Sequence, residues 1–494
     1  MSTRAIHQVR SAVVTCVALS AAACTTVVCP ALLAAQDGKT MVVEHLESYG
    51  ARYGEVAQAI WDHAEVGYQE EQSSALLQST LADAGFEIDA GVADIPTAFV
   101  ASWGSGGPVV GLLAEFDALP GINQDRVAVR QPIPGKDRGH ACGHHLFGAG
   151  SAAAAVAVKE WLEASGTAGT IRLYGTPAEE GGAGKVYMVR AGLFNDVDIA
   201  LHWHPGDRNA VWVSSSLANR SAKFRFHGIS AHAAAAPDRA RSALDGVEAM
   251  NDMVNMMREH VPQETRIHYV ITSGGSAPNV TPDFAEVFYY VRNPEASNVL
   301  SIFERVVKAA EGAALGTGTT MDYEIIHGLN ALLPNETLSR AMFANLERVG
   351  GVEYDESERA FALALHESLG EAALPLELAS QVVPFQQPRS GGSGSTDVAD
   401  VSLVVPTAGL AAATWVPGTP AHSWQAIAAG GISIGNKGML VAAKTLAMTA
   451  VDLFTNSDLV VAAKAEREER LGPDWEYVSL VGDRDPPLDY RKKP

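Results

Sequence analysis

The chain has 494 residues, with 36 Lys plus Arg against 57 Asp plus Glu and a formal charge of −21 at neutral pH. Its length exceeds one ordinary hydrophobic core and excludes a short binding module. The acidic excess, spread along the chain, makes phosphate backbones and anionic lipid surfaces poor partners, so no nucleic acid is expected, and 47% hydrophobic with 19% charged residues excludes a disordered or collagen-like polymer.

Residues 1–35 carry Arg4 and Arg10, no acid, and an apolar, small-residue run before Gln36-Asp37-Gly38-Lys39. This reads as a secretory leader cleaved near Ala34 or Ala35, which predicts an exported, periplasmic or secreted protein. The run is long and is interrupted by Pro30, so an uncleaved membrane anchor competes with that reading. Lipid attachment at Cys24 is a third option, weakened because no Leu stands three positions before it. Cys16, Cys24 and Cys29 all lie in this leader, leaving Cys142 alone in a cleaved chain without an internal disulfide. A single thiol in an oxidising compartment calls for burial or a metal.

The chain after residue 35 opens with helical patterns over 41–62 and 70–84, the second closed by Gly85. Strand-like runs follow at 97–103 and 109–114, then a loop rich in Gly, Pro and charge, an Ala-rich helix over 146–164, and strands at 170–174 and 198–201. Alternating strands and helices predict an α/β fold: a mixed, mostly parallel sheet with helices on both faces. Between 222 and 327 the order changes to strand 223–227, helix 242–259, strands 266–272 and 285–292, helix 296–313 and strand 321–327. That is the split βαβ, ferredoxin-like order of a small domain. Helical patterns resume at 336–349 and 356–369, then a strand near 408–414 and a helix over 432–453. The predicted division is leader 1–35, outer domain 36–217 and 331–456, inserted domain 218–330, and a solvated helix with an exposed tail over 457–494. No internal repeat is present.

Four short segments of the outer domain concentrate the chemistry. Gly139-His140-Ala141-Cys142-Gly143-His144-His145 puts a thiol and imidazoles beside glycines at a loop-to-helix junction. Gly175-Thr176-Pro177-Ala178-Glu179-Glu180-Gly181-Gly182 sets two carboxylates after a strand, where neighbouring side chains can point apart, one to ligate and one to handle protons. Leu201-His202-Trp203-His204-Pro205 and Gly418-Thr419-Pro420-Ala421-His422-Ser423-Trp424 supply further imidazoles. In an open α/β sheet the carboxyl ends of strands meet at one crevice, so these loops can converge although they are far apart in sequence. One Cys, several His and two Glu form a mixed S/N/O set suited to zinc, manganese or cobalt, the thiolate favouring the softer ions, and a metal would keep Cys142 deprotonated.

Together with Ala114-Glu115-Phe116-Asp117-Ala118-Leu119-Pro120 and Gly228-Ile229-Ser230-Ala231-His232, these segments resemble the M20 family of metallopeptidases and amidohydrolases. They resemble its Cys-containing branch of aminoacylase and auxin-conjugate hydrolase type, and Ser395-Thr396-Asp397-Val398 and the segment 418–425 resemble the p-aminobenzoyl-glutamate hydrolases of that branch. The resemblance runs over about 53–453. It implies a metal-dependent amidohydrolase with two divalent ions per subunit and an inserted lid that dimerises, as a homodimer or as a heteromer with a related subunit. Its small-molecule substrate would be an N-acyl amino acid, with p-aminobenzoyl-glutamate or a similar aromatic acyl-glutamate as lead. Cleavage would proceed by Glu-assisted attack of metal-activated water.

Carried over position by position, Cys142, His144, Glu180, His204 and His422 would be metal ligands, with His202 the alternative to His204. Glu179 would be the general acid/base. Asp117 would orient a metal-site imidazole, unless it is only a strand-end turn residue. His232 would stabilise the oxyanion of a neighbouring subunit across the dimer, and Asn279 and Arg292 would bind substrate, a guanidinium suiting a free α-carboxylate. Read without the resemblance, His232 is a cap before a helix and Arg292 a strand-end charge. A lid joined by two chain crossings is expected to open and close.

The chain departs from the wider family at Glu115, where many members have a metal-binding His, and at His145, where Asp or Asn is commoner; His145 is read as altering a hydrogen bond beside the site or as a spare ligand. Other readings of the activity are a dipeptidase, carboxypeptidase or aminoacylase acting on another N-acyl amino acid or an aromatic amide toxin. Readings of a different class are a hydrolase with Cys142 as nucleophile, which leaves Glu179, Glu180 and His422 idle, and a non-catalytic binding protein, which predicts damaged ligand motifs. Gly184-Lys185-Val186 and Gly104, Gly106 and Gly107 match no phosphate-loop or dinucleotide spacing.

Overall fold

The computed structural model describes residues 30–387 and 394–492. Residues 1–29 of the segment read as leader, with the Cys24 lipid site and three of the four cysteines, lie outside them, and the first helix, Pro30–His63, begins within that segment's last residues.

The larger domain is built on a seven-stranded sheet in the order Glu87–Ala90, Phe99–Ser105, Gly169–Gly175, Val109–Ala114, Ile199–Gly206, Thr407–Ala413, Ala210–Trp212. The four strands from Gly169–Gly175 to Thr407–Ala413 run parallel, and antiparallel strands flank them on both sides. Two of the parallel strands, Val109–Ala114 and Thr407–Ala413, are runs of small and branched apolar residues, and all four are largely buried, as cover on both faces requires. Helices His144–Ser165 and Ser433–Thr455 are apolar around most of their circumference and are buried along most of their length. The second is apolar enough to cross a membrane, but most of it is buried in the fold.

The inserted domain is a four-stranded antiparallel sheet ordered Arg266–Ser273, Phe284–Asn293, Ala218–His227, Thr320–Leu329, with helices Ala243–Met257 and Ala296–Thr317 on one face. Val299, Ile302, Phe303, Val306 and Ala310 repeat at helical spacing and close over Phe224, Phe226, Val287, Tyr289 and Val291, a core separate from that of the large domain. Among the described residues no helix covers the other face of this sheet. Alternation along Phe284–Asn293 places Tyr290 and Arg292 on that open face.

One expectation fails. The segment after the Ser457–Leu471 helix is not an exposed tail: Leu480 and Val481 are each 1% exposed, and Tyr490 packs edge-on against Tyr68. Charged and proline-rich composition reads as solvated in isolation, whereas here Tyr477, Arg484, Tyr490 and Arg491 hydrogen-bond to groups of the two domains.

Candidate active site

Because four central strands are parallel, their carboxyl ends open on one side, and the chemistry-bearing residues collect there. Val109–Ala114 delivers Glu115 and Asp117, and Gly169–Gly175 leads into Glu179 and Glu180. Ile199–Gly206 carries His204 near its end, and the loop after Thr407–Ala413 brings in His422. The His422 amide donates to the Ala141 carbonyl at 2.9 Å, tying this late loop to the one holding Cys142. Gly143 makes the turn into the His144–Ser165 helix at φ 81°, and a Cβ there would lie 2.6 Å from Pro205 Cβ, so only glycine suits the position.

The Glu179–Glu180 loop is held in a sparsely populated backbone conformation. Ala178 and Ala183 have φ of 59° and 61°, and His422 has 60°. The Ala178 amide is fixed by the buried Glu70, whose Oε1 accepts it at 2.8 Å while Oε2 accepts Thr97 Oγ1 at 3.1 Å. Burial, with the nearby Asp117, pushes the Glu70 carboxyl well above its usual range.

Asp117 orients two groups at once. Its Oδ2 accepts the Glu180 amide at 2.9 Å and its Oδ1 accepts His144 Nδ1 at 2.8 Å. Burial disfavours its charge, but His144, the Glu180 amide and Lys185 outweigh it and hold the carboxyl below its usual range. With Nδ1 committed to Asp117, His144 Nε2 is left without a hydrogen-bond partner, 3.1 Å from Glu115 Oε2. His204 is arranged alike: Nδ1 donates to the Pro205 carbonyl at 2.7 Å, and Nε2 faces Cys142 Sγ at 3.4 Å. His422 Nε2 lies 3.2 Å from Glu180 Oε1.

Two donor sets share one sulfur. Cys142, His144 and His204 present ligand atoms within 4.8 Å of one another, and so do Cys142, Glu180 and His422; Glu115, His144 and Glu179 form a third such group. Buried Nε2 of His144 and Oε1 of Glu180 have no hydrogen-bond partner among the described residues. Burial disfavours a charged His144, yet Cys142, Glu115 and Asp117 together raise it well above its ordinary value, so the cluster demands positive charge. Sulfur, nitrogen and carboxylate donors with orphaned lone pairs fit a divalent transition ion. Burial, then repulsion from Glu115 and Glu180, holds Glu179 well above the usual carboxylate range.

A cavity of about 770 Å³ opens beside these groups, lined by Cys142, Glu179, Glu180, His204 and His422 at one end and by Trp212, Val213, Leu332 and Phe385 along its wall. Its size suits a small-molecule ligand, and Trp212 and Phe385 make part of its wall aromatic.

The remaining expected residues fall elsewhere. His202 lies on the same sheet face as His204 but packs against Trp212 and Gly409, and burial pushes it down to about 3. His145 turns away to the Gly430 carbonyl at 3.0 Å, so it is not a spare ligand. His232 and Asn279 stand together on exposed lid loops, with the Ala233 amide donating to the Asn279 carbonyl, and neither lines the cavity. Arg292 lies on the open lid face.

Sequence reasoning missed the support of the site. Lys185 is fully buried between Glu115 Oε1 and Asp397 Oδ1, each at 2.7 Å, and its amide donates to Asp397 Oδ2 at 2.9 Å. Asp397 stands in a segment that the family resemblance singled out, yet nothing local in the sequence links it to a lysine so far away.

Residues 111–426 match the model of peptidase family M20/M25/M40. The chain is 43% identical over 461 residues to a p-aminobenzoyl-glutamate hydrolase subunit of Escherichia coli (strain K12), covering 88% of this chain and 95% of that protein. Among solved structures it is similar to an aminobenzoyl-glutamate utilization protein from Klebsiella pneumoniae (TM-score 0.58, 18% identity, 83% of this chain and 97% of that one). It is also similar to a dinuclear metal binding peptidase of the M20 family from Bacillus subtilis (TM-score 0.54, 19% identity, 83% and 99%). The convergent ligand set, the matched family model and the relative that shares nearly its whole length together place the chain in peptidase family M20/M25/M40.

Proposed function

We propose that the protein is a metal-dependent amidohydrolase that cleaves the amide bond of an N-acyl amino acid, with p-aminobenzoyl-glutamate or a similar aromatic acyl-glutamate as lead substrate. The observation that carries this reading is the meeting of Cys142, His144, Glu180, His204 and His422 with Glu179 at the mouth of an aromatic-walled cavity.

Cys142, His144, Glu180, His204 and His422 would hold two divalent ions, zinc or manganese before cobalt, with Cys142 common to both donor sets. Bound, such ions supply Lewis acidity to an amide carbonyl and acidify water. Glu179 accepts the proton of the attacking water and returns it to the leaving nitrogen, a task its elevated proton affinity suits. Asp117 keeps the His144 proton on Nδ1, so Nε2 serves as a ligand. Trp212 and Phe385 give an aromatic acyl group its wall. Asn279 and Arg292 would bind the amino-acid part, and His232 of a second copy would reach the oxyanion. Pairing through the lid is supported by the edge strand Arg266–Ser273, where Tyr269, Val270 and Ile271 are exposed together. A heteromer with a related chain is the other arrangement, since the Escherichia coli relative is named as one subunit of a hydrolase. Export of the protein is proposed on its leader-like first 35 residues.

The test is hydrolysis of p-aminobenzoyl-glutamate and a panel of N-acyl amino acids, with and without chelator, then with zinc or manganese restored. Turnover lost to chelator and recovered with metal is expected, and Glu179→Gln is expected to lower kcat by about 100-fold or more with metal still bound. Turnover indifferent to chelator in protein shown by elemental analysis to be metal-free would overturn the reading in favour of Cys142 as a nucleophile.

A further inference from the structure

The segment after the Ser457–Leu471 helix crosses the molecule as a strap. Tyr477 Oη donates to Asp400 at 2.8 Å, Leu480 packs against Gly328 where the lid strand returns to the large domain, and Arg484 bonds Glu324 of the lid while its carbonyl accepts from Arg190 of the large domain. The strap ends at the metal-ligand loop. Tyr490 Oη and Arg491 Nη2 both donate to the Glu180 carbonyl, at 3.2 and 2.6 Å, and Tyr490 is seated against Tyr68. Arg491 is therefore presented by a packed anchor.

A second guanidinium stands close to it. A Cβ on Gly181 would lie 3.5 Å from Arg491 Nη2 and 3.9 Å from Tyr290 Oη, so the strap and the open lid face meet over one glycine beside Glu180. Arg292 sits two residues beyond Tyr290 on the same face, with its guanidinium 5.4 Å from that ring and its Nε buried without a partner. The His327 ring lies edge-on 5.0 Å from the Tyr290 ring, and burial, with the charges of Arg292 and Arg491, pushes it down to about 3. Among the described residues neither guanidinium forms an ion pair, although the chain carries 57 acids. Partly buried cations without counter-charge are costly, and two at one site call for an anionic ligand. An α-carboxylate occupies one guanidinium bidentately and leaves the other free.

We propose that Arg491 is a specificity-determining residue. It receives the side-chain carboxylate of an acidic leaving amino acid, glutamate or aspartate, while Arg292 takes the α-carboxylate. This rests on the amidohydrolase reading above and adds the residue, supplied by the C-terminal strap, that selects an acidic leaving group.

The test compares equilibrium binding of p-aminobenzoyl-glutamate and p-aminobenzoyl-alanine to metal-loaded, full-length protein carrying Glu179→Gln, which blocks turnover. Arg491→Gln on that background is expected to weaken the glutamate ligand by on the order of 10-fold to 100-fold and to leave the alanine ligand nearly unchanged. Arg491→Lys is expected to recover part of the loss. Tyr490→Phe, which keeps the ring, serves as the control for the strap and is expected to change neither ligand's affinity. Equal weakening of both ligands by Arg491→Gln, or no weakening of either, overturns the proposal, as does an unaltered strap that shows no preference for glutamate. Hydrolysis by the protein with Glu179 intact is read separately: the binding pattern without hydrolysis would overturn the reaction and leave the Arg491 assignment standing.

Discussion

Lys185 supports the site from behind, paired with Glu115 and Asp397 and outside the candidate ligand groups. A buried ammonium is unfavourable by itself, and burial alone would lower its pKa. Asp397 and Glu115 reverse that and raise it, so the ammonium remains charged. The arithmetic of buried ion triads is asymmetric: the complete set is near neutral in stability, but removing one member strands the others. Lys185→Met leaves two fully buried carboxylates facing each other and is expected to lower unfolding stability by about 3–5 kcal/mol, read as a shift in denaturant midpoint. A change under about 1 kcal/mol would mean that water enters and screens the pair. The sign with pH follows from the raised pKa: the lysine's contribution is complete below its unfolded value of 10.5 and is lost only as pH climbs beyond it. The candidate ligands were legible because cysteine, histidine and adjacent glutamates at strand ends are rare and chemically loud. Lys185 was not, because its meaning comes from Asp397, which the fold alone brings to it.

At the scale of elements, the strand Ile199–Gly206 carries the distinction between two histidines. His202 and His204 share a sheet face, and what separates them is the neighbouring parallel strand Thr407–Ala413, paired so that Gly409 faces His202 and Ala411 faces His204. A Cβ at Gly409 would overlap the His202 ring. The missing side chain lets that imidazole sit in the core, and the strand then continues to place His204 at the crevice. Gly409→Ala is expected to cost about 1–3 kcal/mol by overpacking and to weaken metal binding through the displaced strand end. Thermal unfolding with and without added metal separates the two effects; equal losses in both conditions would mean that His204 is undisturbed. Strong periodic segments were legible here: helices Glu336–Val349 and Glu356–Leu369 and strand Val109–Ala114 fall where pattern puts them. The short edge strands Glu87–Ala90 and Ala210–Trp212 were not, since four or three residues with little apolar alternation form only when a neighbour offers its backbone.

For the whole molecule, two chain crossings join the inserted domain to the large one, and the strap adds a third connection that composition concealed. Glu324 lies on the lid and accepts from Arg225 at 2.6 Å within the lid and from Arg484 of the strap at 2.9 Å. Burial tends to raise its pKa, but hydrogen bonds and charge from these guanidiniums outweigh burial, so its carboxyl titrates below the ordinary value of 4.5. A depressed carboxyl pKa means that the clasp contributes stability above pH 4.5 and loses it as pH falls through the folded value. Arg484 and Glu324 are both partly solvated, so screening holds the contribution of this pair below about 1 kcal/mol. Arg484→Met is therefore expected to lower the unfolding temperature modestly at pH 7 and to have a smaller effect in acid, once Glu324 has taken up its proton in both proteins. The measurement is the difference between the two proteins' unfolding temperatures at each pH. A difference that persists unchanged in acid would assign the effect to the apolar packing of the Arg484 stem and not to the charge clasp between strap and lid.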